Sequence, residues 1–362
     1  MRIIWFSHRD IKHPRSGGAE RMIFEVGKRL TLRGHEFSHF SVAWEGAKHQ
    51  EKVENINVIR LRGNVIAHLN VPLILEKYDY DVVVDDLGHV VPWFSEHFTS
   101  KPGTAMFYHL HRRSLPGQVS LPLRMLLNGV EQAYPLVYRK WPFVVDSESA
   151  KNDLVYIGIN QERISVIPLG VDLDLFKPGE KNDDPSLLYF AGFRDYKRPY
   201  DALLIFKKVL ERYSTAKLYM VGSGPDLQKV SEYAYTLGLS KNTIFTGKLT
   251  GNELIKVIQK NWINLHCSTT EGFGLSIIES SACGVPTVAY SVPGVSETVE
   301  NGRNGLLAKD GSVDDMASLV LQLLDSYPSG LESSSRKVAE KYPWEMTAKL
   351  WERHLLALTE CK

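Results

Sequence analysis

The feature that most constrains this 362-residue chain is a regular alternation of short apolar runs with amphipathic segments of helix length. Short runs that are apolar throughout are typical of parallel strands, because such strands are buried on both faces of the sheet. Six runs in the first half fit this description, at residues 2–6, 37–42, 58–60, 82–84, 104–108 and 143–146. The alternation therefore predicts an α/β fold built on parallel sheets.

The second half repeats the pattern after a break in composition. Residues 168–185 are rich in turn-forming and charged residues, which predicts a linker. Beyond it we expect strands at residues 187–190, 217–221, 243–245, 262–266 and 287–290, and helices at residues 199–212, 225–237, 252–260 and 275–283. At roughly 100–200 residues per domain, two doubly wound domains are expected. We place them at residues 1–165 and 166–343, with a helix over residues 344–362 packing back on the first.

Composition excludes several classes of function. Lys plus Arg number 43 and Asp plus Glu 42, so the chain lacks the strongly basic face that a nucleic acid requires. Cys267, Cys283 and Cys361 are too widely spaced for a disulfide framework or a CxxC metal site. No apolar run approaches the ~20 residues of a membrane span. We therefore expect a protein of a reducing compartment, the cytoplasm, that is soluble or at most peripheral at the inner face of a membrane.

The strongest chemical motif is Glu271-Gly272-Phe273-Gly274-Leu275-Ser276-Ile277-Ile278-Glu279, which follows an expected strand and opens an expected helix. Its glycines permit a ligand to approach the backbone, and the unpaired N–H groups of a helix start suit a diphosphate. Glu279, about one turn into the helix, could accept hydrogen bonds from the hydroxyls of a ribose, and Glu271 could hold sugar hydroxyls. Alternatively, Glu271 only complements the helix N-terminus and Glu279 is a solvated helix residue.

Together with the residues after it, this motif resembles the signature of glycosyltransferase family 4. The match continues through Ala282-Cys283-Gly284-Val285-Pro286-Thr287-Val288-Ala289 and Pro293-Gly294-Val295-Ser296-Glu297. Ser280 stands where the family usually has alanine, and Val295 replaces one of two paired glycines. Further motifs follow the family's order at residues 16–20, 167–176 and 221–225, so the resemblance covers most of the chain.

The resemblance implies the GT-B fold, in which two Rossmann-like domains face each other across a cleft, and sugar transfer with retention of anomeric configuration. It implies a first domain that meets the acceptor and a second domain that binds the donor. The co-substrate would be a nucleotide diphosphate sugar of the GDP-mannose or UDP-glucose type, the acceptor a glycan or a lipid-linked molecule, and no cofactor would be needed. The donor-binding residues that it implies in the second half are Gly192, Gly222, Phe273, Gly274, Leu275 and Glu279.

Residues 192–199 carry cations suited to a departing diphosphate. The family has an arginine directly after the glycine, whereas this chain has Phe193 and a loop one residue shorter. Lys197 matches the family's lysine, and Arg194 is a displaced candidate for the arginine. With Glu271, these two residues are expected to be catalytic.

The first half supplies expected contacts to the sugar and the acceptor. Gly17 and Gly18 lie between a strand and a helix start, where they could form a tight turn or contact the sugar or an acceptor phosphate. The resemblance favours the contact, so we assign both glycines to donor binding. The resemblance also implies a catalytic histidine at the end of a strand, for which His109 is the candidate and His111 the alternative. The acceptor-side candidates are His111, Arg112 and Arg113.

Two DxD strings, Asp79-Tyr80-Asp81 and Asp172-Leu173-Asp174, are compatible with a divalent metal site. The first precedes a strand and the second lies in the linker, where turn formation and helix capping explain them better. We therefore expect no metal, because Lys197, Arg194 and a helix dipole would supply the positive charge.

Residues 111–127 combine three arginines, at positions 112, 113 and 124, with a row of large apolar residues. Such a mixture suits a segment that contacts an anionic membrane and a lipid-linked acceptor. The alternative is a helix that packs its leucines on the core of the first domain. Pro116 and Pro122 interrupt a long amphipathic helix and favour that alternative.

Other classes of protein remain as alternatives. A nucleotide-sugar epimerase of related fold would bind the same donor without an acceptor, and a noncatalytic sugar-binding protein would use Glu271 and Glu279 for binding alone. A NAD-dependent oxidoreductase is disfavoured because Ser7-His8-Arg9-Asp10, after the first strand, lacks the glycine fingerprint. A pyridoxal phosphate-dependent phosphorylase of the same fold would resemble a much longer chain.

Overall fold

The computed structural model describes residues 1–113, 115 and 119–360. The chain forms two compact units, each built on its own sheet. The N-terminal unit comprises Met1–Arg112, Ser120–Gly170 and Trp344–Lys362, and the C-terminal unit comprises Arg113–Val119 and Val171–Pro343. The expected α/β class, with two largely parallel sheets, is confirmed.

The N-terminal unit contains an eight-stranded sheet. Its strands are β1 Arg2–Phe6, β2 Glu36–Val42, β3 Gln50–Val53, β4 Ile56–Leu61, β5 Val82–Asp86, β6 Gly103–Phe107, β7 Phe143–Val145 and β8 Ile164–Val166. They lie in the order β3-β4-β2-β1-β5-β6-β7-β8, and each neighbouring pair is parallel except β3 with β4. The order reverses between β1 and β5, which opens a crevice at the carboxyl ends of those two strands.

Helices connect these strands. They are α1 Gly18–Leu32, α2 Asn64–Leu69, α3 Val71–Lys77, α4 Leu121–Gln132, α5 Tyr134–Val137 and α6 Glu148–Tyr156, with 3-10 turns at Ser95–His97, His111–Arg113 and Gln161–Arg163. Helix α1 buries Met22, Val26 and Leu30 on one side. Gly34 has a φ of +87°, the left-handed conformation that glycine adopts just past a helix end.

A buried ion pair fixes the loop between β1 and α1. The guanidinium of Arg60 on β4 donates to both carboxylate oxygens of Asp10, at 2.8 and 2.9 Å, and both side chains are fully buried. Ser41 on β2 donates to the same carboxylate at 2.9 Å. Burial opposes the charge of Asp10, but the hydrogen bonds from Arg60 hold its pKa below the usual value. The loop is thus held where β1, β2 and β4 end.

The C-terminal unit contains a six-stranded parallel sheet. Its strands are β9 Ser186–Phe190, β10 Lys217–Val221, β11 Thr243–Gly247, β12 Ile263–His266, β13 Thr287–Tyr290 and β14 Gly305–Ala308. Its helices are α7 Pro199–Arg212, α8 Leu227–Thr236, α9 Gly251–Lys260, α10 Leu275–Ala282, α11 Val295–Thr298, α12 Val313–Asp325 and α13 Leu331–Ala339, with a 3-10 turn at Asp195–Lys197. The strand order is β11-β10-β9-β12-β13-β14, so it reverses between β9 and β12.

Helix α14, Trp344–Glu360, returns to the N-terminal unit. The ring of Trp351 lies 4.6 Å from that of Trp5 on β1, and both rings are fully buried. Arg33, just past α1, pairs with Glu345 and Glu352. The helix therefore covers β1 and adjoins the end of α1 although it is far away in sequence.

Three strands were not expected from the sequence, and all three lie at sheet edges. Strands β3 and β8 bound the first sheet and β14 bounds the second. An edge strand has a neighbour on one side alone and is half exposed, so it need not carry a continuous apolar run. In β3, whose sequence is QEKV, exposed and half-buried residues alternate.

Candidate active site

The expected donor residues of the C-terminal unit lie at the carboxyl edge of its sheet. Lys197 follows β9 and Glu271 follows β12, the neighbouring strands between which the strand order reverses. Gly222 comes directly after β10, and Gly274 is the N-cap of α10. Ligands of doubly wound sheets bind in the crevice at such a reversal. Topology therefore marks this edge as a candidate site.

A buried ion pair lies at the centre of this edge. The ammonium of Lys197 contacts Oε1 of Glu271, and the two side chains are 14% and 15% exposed. The same oxygen accepts a hydrogen bond from Ser268 Oγ at 2.9 Å and lies 3.0 Å from Nε2 of His266. His266 is the buried last residue of β12. Three polar groups, from Lys197, Ser268 and His266, thus lie around this one carboxylate oxygen.

The pair stays charged at neutral pH. Burial works against both ionised forms, but the attraction between them prevails: the pKa of Lys197 is raised, and that of Glu271 is held well below its usual value. The ring of His266, 3.0 Å away, also helps to lower the pKa of Glu271. The site therefore presents a fixed cation to an anionic ligand.

Phe193, which stands where the family has an arginine, is a core residue. Its fully buried ring lies 5.7 Å from that of Tyr189 and 6.2 Å from that of Phe245. The next residue, Arg194, is half-buried, and its N–H donates to the carbonyl of Gly192 at 3.0 Å. The loop thus places an apolar side chain in the core and the guanidinium one position later.

Glycines allow two loops of the site to meet. A Cβ at Gly222 would lie 2.0 Å from the carbonyl oxygen of Ala191, and one at Gly224 would lie 2.2 Å from that of Phe193. Gly192 has more room, because its nearest contact would be 3.6 Å away. Gly222 is therefore required by the packing of the loops themselves, whatever else it contacts.

Arg198 contacts Asp310 and Tyr290, which lie outside the Lys197–Glu271 pair. Its guanidinium pairs with Asp310 at 2.5 Å and lies 5.3 Å from the ring centroid of Tyr290. A surface role for this cation agrees with these contacts.

The loop before α10 packs closely against the loop that contains Gly294. Gly274 has a φ of +84°, and a Cβ at Gly294 would lie 2.2 Å from the carbonyl oxygen of Glu271. Only glycine at position 294 lets the two loops touch at this point. The carbonyl of Glu271 thereby lies in close contact with the backbone at Gly294.

Besides Gly274, three expected donor residues belong to this loop and helix. Glu279 is 5% exposed, so its interpretation as a solvated helix residue is wrong. Phe273 is also buried, with its ring 5.4 Å from that of Tyr342, and Leu275 is half-buried at the first position of α10. A carboxylate in the interior requires polar partners.

In the N-terminal unit, the glycines at the start of α1 are partly engaged in the turn itself. The N–H of Gly17 donates to Oε2 of Glu20 at 2.6 Å. Burial raises the pKa of Glu20, the third residue of α1. Gly18 is exposed at the first helical position. The N–H of Gly17 is thus used within the tight turn, as one of the two interpretations of these glycines expected.

The histidines after β6 have different surroundings. The backbone N and the Nδ1 of His111 both lie 2.9 Å from Oε1 of the buried Glu131. The ring of the half-buried His109 lies 4.9 Å from that of His111. His111 is therefore anchored to α4, which leaves His109 as the better candidate for a ligand contact.

The two acceptor-side arginines follow. The guanidinium of Arg112 lies over the ring of Tyr156 at 4.5 Å and 3.9 Å from a carboxylate oxygen of Asp153. The side chain of Arg113 and residues 114 and 116–118 lie outside the described residues.

A cavity of about 520 Å³, here called the histidine pocket, lies at the carboxyl edge of the N-terminal sheet. It is lined by His8, Arg9, His13, Pro14 and Arg15 after β1, by Val42, Ala43, Trp44 and Glu45 at the end of β2, and by His89 after β5. The rings of His8 and His89 stack at 4.3 Å. Burial lowers the pKa of His8 to about 4 and that of His89 to about 2, so both rings are neutral at neutral pH.

Sequence reasoning missed His266 and Ser268 as well as the histidine pocket. The signal was present: His266 ends an expected strand just before Glu271, and the carboxyl ends of parallel strands are where ligands bind. The loop after β1 carries His8, Arg9 and further basic residues, but its sequence does not show that His89 joins them.

The two DxD strings serve local structure. Asp79 and Asp81 both pair with Arg2, at 3.2 and 2.9 Å, and Asp172 accepts hydrogen bonds from the N–H groups of Asp174 and Leu175. Within residues 1–113, 115 and 119–360, no group of three or more His, Cys, Asp or Glu side chains is placed to hold a metal ion. None of the helices in that part of the chain has the length and apolar character to cross a bilayer.

Solved structures share this fold. Sucrose-phosphate synthase from Thermosynechococcus elongatus superposes with a TM-score of 0.85 at 19% identity and covers 100% of both chains. HepE from Anabaena, in complex with UDP and glucose, superposes with a TM-score of 0.80 at 17% identity and covers 99% of this chain and 100% of that one. The expected GT-B fold is confirmed.

Two family models match the chain. The family described as Glycosyltransferase Family 4 matches residues 16–175, and the family described as Glycosyl transferases group 1 matches residues 171–342. The chain belongs to the glycosyltransferases of the family 4 type, as its motifs indicated.

The relatives in sequence align with different shares of this chain. An uncharacterized glycosyltransferase of Methanocaldococcus jannaschii is 24% identical over 90% of each chain. D-inositol 3-phosphate glycosyltransferase of Mycobacteroides abscessus is 29% identical over 57% of this chain and 49% of its own. N-acetyl-alpha-D-glucosaminyl L-malate synthase of Bacillus anthracis is 30% identical over 40% of this chain and 38% of its own. The matches to these two relatives thus span half or less of their length.

Proposed function

We propose that this glycosyltransferase moves a hexose from a nucleotide diphosphate sugar, of the GDP-mannose or UDP-glucose type, to a glycan or lipid-linked acceptor with retention of configuration. The observation that carries the proposal is the buried Lys197–Glu271 pair at the reversal of strand order in the C-terminal sheet. A solved structure of the same fold, HepE, contains UDP and glucose, which supports a nucleotide-sugar donor.

The donor would lie against the C-terminal unit. The N–H groups at the start of α10, beside Gly274, would receive the diphosphate, and the buried carboxylate of Glu279 would accept hydrogen bonds from ribose hydroxyls. Glu271 would hold hydroxyls of the sugar. The remaining donor contacts are assigned to Gly17, Gly18, Gly192, Gly222, Phe273 and Leu275.

In the reaction, the bond between the anomeric carbon and the diphosphate oxygen breaks, and the acceptor hydroxyl forms the new bond on the same face of the sugar. The acceptor proton passes to an oxygen of the departing diphosphate, so no side-chain base is assigned. Lys197, with Arg194, would stabilise the negative charge of the leaving group, and we therefore propose that no metal is needed. On the family resemblance, His109 would contact the transferred sugar.

The acceptor is proposed to be anionic and to meet the N-terminal unit near His111, Arg112 and Arg113. Two relatives have names that specify anionic compounds, inositol 3-phosphate and malate, which supports this charge. On α4, four large apolar residues are 43–67% exposed: Leu121, Leu123, Met125 and Leu126. The alternative in which α4 packs its leucines on the core is wrong for Leu121, Leu123 and Leu126. An apolar face beside Arg124 suits an anionic membrane surface.

A panel of nucleotide sugars tests the function. Purified protein should show a thermal shift with one donor type, because a bound ligand stabilises the folded state, and should hydrolyse or transfer that sugar. Glu279→Ala should weaken the binding of the free nucleotide diphosphate about tenfold to a hundredfold, which corresponds to a lost hydrogen bond to a charged group. Glu279→Gln should keep part of this affinity, and Glu253→Ala, an exposed carboxylate on α9, should keep all of it.

The outcomes separate the alternatives. Donor binding without turnover in the presence of any acceptor would indicate a noncatalytic sugar-binding protein. Conversion of the donor to its epimer without an acceptor would indicate an epimerase. Unchanged nucleotide affinity in Glu279→Ala would contradict the ribose assignment.

A further inference from the structure

His266 is a buried residue of the C-terminal unit to which the proposed reaction assigns no role. It is 3% exposed and ends β12, where its backbone is in register with Ala289 of β13. Glu271 lies five residues later, in the loop that joins β12 to α10. Because a strand inside a sheet holds a side chain more precisely than a loop does, His266 is a fixed point next to which the carboxylate of the loop can be oriented.

The two oxygens of the Glu271 carboxylate have different surroundings. Oε1 contacts the ammonium of Lys197, accepts a hydrogen bond from Ser268 Oγ at 2.9 Å and lies 3.0 Å from Nε2 of His266. Oε2 has no hydrogen-bond or ion-pair partner among the residues that the structure describes. The three groups around Oε1 thus leave Oε2 as the oxygen that can accept a hydrogen bond from a ligand hydroxyl.

The surroundings of the His266 ring place a proton on Nε2. A carboxylate can only accept, so Oε1 favours an N–H at the nitrogen that faces it. On the opposite side of the ring, Nδ1 lies 3.5 Å from Oγ of Ser276, the second residue of α10. Ser276 thus contacts the same ring from the helix that is proposed to receive the diphosphate.

The contact between His266 and Glu271 is close but not aligned. Although Nε2 lies 3.0 Å from Oε1, it has no partner at hydrogen-bonding geometry within the described part of the chain. A buried polar atom without a partner is costly, and the hydrogen bonds of an active site are often poorly aligned until the substrate is bound. A small turn of the Glu271 carboxylate, as a sugar hydroxyl engages Oε2, would complete this hydrogen bond.

We propose that His266 is a positioning residue for donor recognition: it holds Oε1 of Glu271 by a hydrogen bond that becomes aligned when the donor binds, and so directs Oε2 to a hydroxyl of the transferred sugar. The inference rests on the proposed function, since that function assigns the sugar to Glu271. His266 itself touches neither the sugar nor the nucleotide, so it acts on the sugar through Glu271 alone.

Two pairs of probes test the inference without an acceptor, namely UDP-glucose with UDP, and GDP-mannose with GDP. Binding is measured by calorimetry on the full chain with the pair that wild-type protein binds. His266→Leu should weaken the binding of the nucleotide sugar about tenfold, because Glu271 loses its alignment, and should change the affinity for the free nucleotide diphosphate less than about twofold. His266→Gln should recover most of this loss, since its amide nitrogen lies near the position of Nε2. His266→Asn, whose amide lies near the position of Nδ1, should not.

A double variant shows whether His266 acts through Glu271. Glu271→Ala should lose affinity for the nucleotide sugar, and addition of His266→Leu should cause no further loss, because the effects of two residues that act as a unit are not additive. As a matched control, His354→Leu replaces a histidine of the N-terminal unit that bonds to Thr104, and it should leave both affinities unchanged.

Three results would overturn the inference. They are wild-type affinity of His266→Leu for the nucleotide sugar, an equal loss of affinity for the free nucleotide diphosphate, and additive losses in the double variant. If His266→Leu melts far below wild type, the glutamine and asparagine variants decide, and equal affinities of these two for the nucleotide sugar would overturn the inference. Wild-type protein that binds neither pair of probes would contradict the proposed function itself, and the inference with it.

Discussion

At the scale of single residues, the Lys197–Glu271 pair places a cation where a diphosphate is proposed to depart. Lys197→Ala should lower turnover at saturating donor on the order of 10²–10³-fold, because one electrostatic contact to the developing charge is removed. Nucleotide affinity should change far less. The measurement is steady-state transfer at saturating donor, with Lys208→Ala as the control, since Lys208 pairs with Asp314 on the exposed surface.

Loss of Lys197 also leaves a buried carboxylate without its partner, which could lower stability. The double variant Lys197→Ala/Glu271→Gln removes this unpaired charge and should melt closer to wild type while remaining slow. Near-normal turnover in a folded Lys197→Ala protein would assign the role to another group.

Asp86 on β5 links stability to pH. Burial raises its pKa to about 7, although Tyr108 donates a hydrogen bond to it at 2.6 Å. The folded state therefore holds the proton more tightly than the unfolded state, and stability falls as pH rises from about 4 to about 7. Asp86→Asn cannot ionise, so its stability relative to wild type should rise over this interval, by at most about 4 kcal/mol at ~1.4 kcal/mol per pKa unit.

Chemical denaturation at several pH values, followed by tryptophan fluorescence, measures this difference. Six of the seven tryptophans, all except Trp262, belong to the N-terminal unit that contains Asp86. Asp79→Asn, at an exposed position, is the control. A difference between variant and wild type that stays constant with pH would show that Asp86 does not titrate in this range.

How far the sequence predicted the site depends on the residue. The motif around Glu271 and the position of Lys197 could be predicted because both lie in short segments with a fixed local order. The burial of Phe193 could not be predicted, because it depends partly on Phe245 of β11, which is distant in sequence. The stack of His8 on His89 likewise depends on the pairing of β1 with β5.

At the scale of elements, α4 presents an exposed apolar face next to basic residues. Wild-type protein should sediment with anionic vesicles at low salt, and the triple variant Arg112→Ser/Arg113→Ser/Arg124→Ser should not, since each cation near such a surface contributes about 1 kcal/mol.

A variant of equal charge loss serves as the control for this experiment. Replacement of the exposed Lys207, Lys208 and Lys229 of the C-terminal unit by serine should leave vesicle binding intact. Equal recovery of wild type in the supernatant with and without anionic lipid would favour a soluble acceptor.

Helix α14 is expected to be part of the N-terminal core and not an appendage. Trp351→Ala removes a fully buried ring packed on Trp5 and should cost about 3–5 kcal/mol of unfolding free energy. Met346→Ala, on the same helix but 49% exposed, should cost little. The measurement is the midpoint of chemical denaturation by circular dichroism, and equal midpoints for the two variants would contradict the assignment.

Helices and strands could be predicted where the burial of an element on both faces requires a run of apolar residues in the sequence. Strands β1, β10 and β13 and helix α7 have the bounds that the sequence indicated. Strand β3 was not predicted because three of its four residues are polar and it is held by antiparallel pairing with β4, which no local pattern encodes. Helix α12, in contrast, could have been predicted from Ser312, whose side chain caps it, and from the acidic residues of its first turn.

At the scale of the whole molecule, the proposed chemistry has a stereochemical outcome. Proton NMR of the first product should show the same anomeric configuration as the donor, and activity should survive EDTA because the cations are supplied by side chains. Inversion would refute attack on the face that the diphosphate leaves. Loss of activity in EDTA, with recovery on addition of a divalent ion, would refute metal independence.

The return of α14 to the N-terminal unit also sets an order for synthesis. A ribosome completes residues 171–343, the long segment of the C-terminal unit, before the first residue of α14 is made. During that interval Trp5, on the central strand β1, lacks the ring that covers it in the finished protein. The core of the unit that begins the chain therefore cannot be completed until the C-terminal unit has been synthesised, whereas nascent domains usually fold from the N-terminus onward.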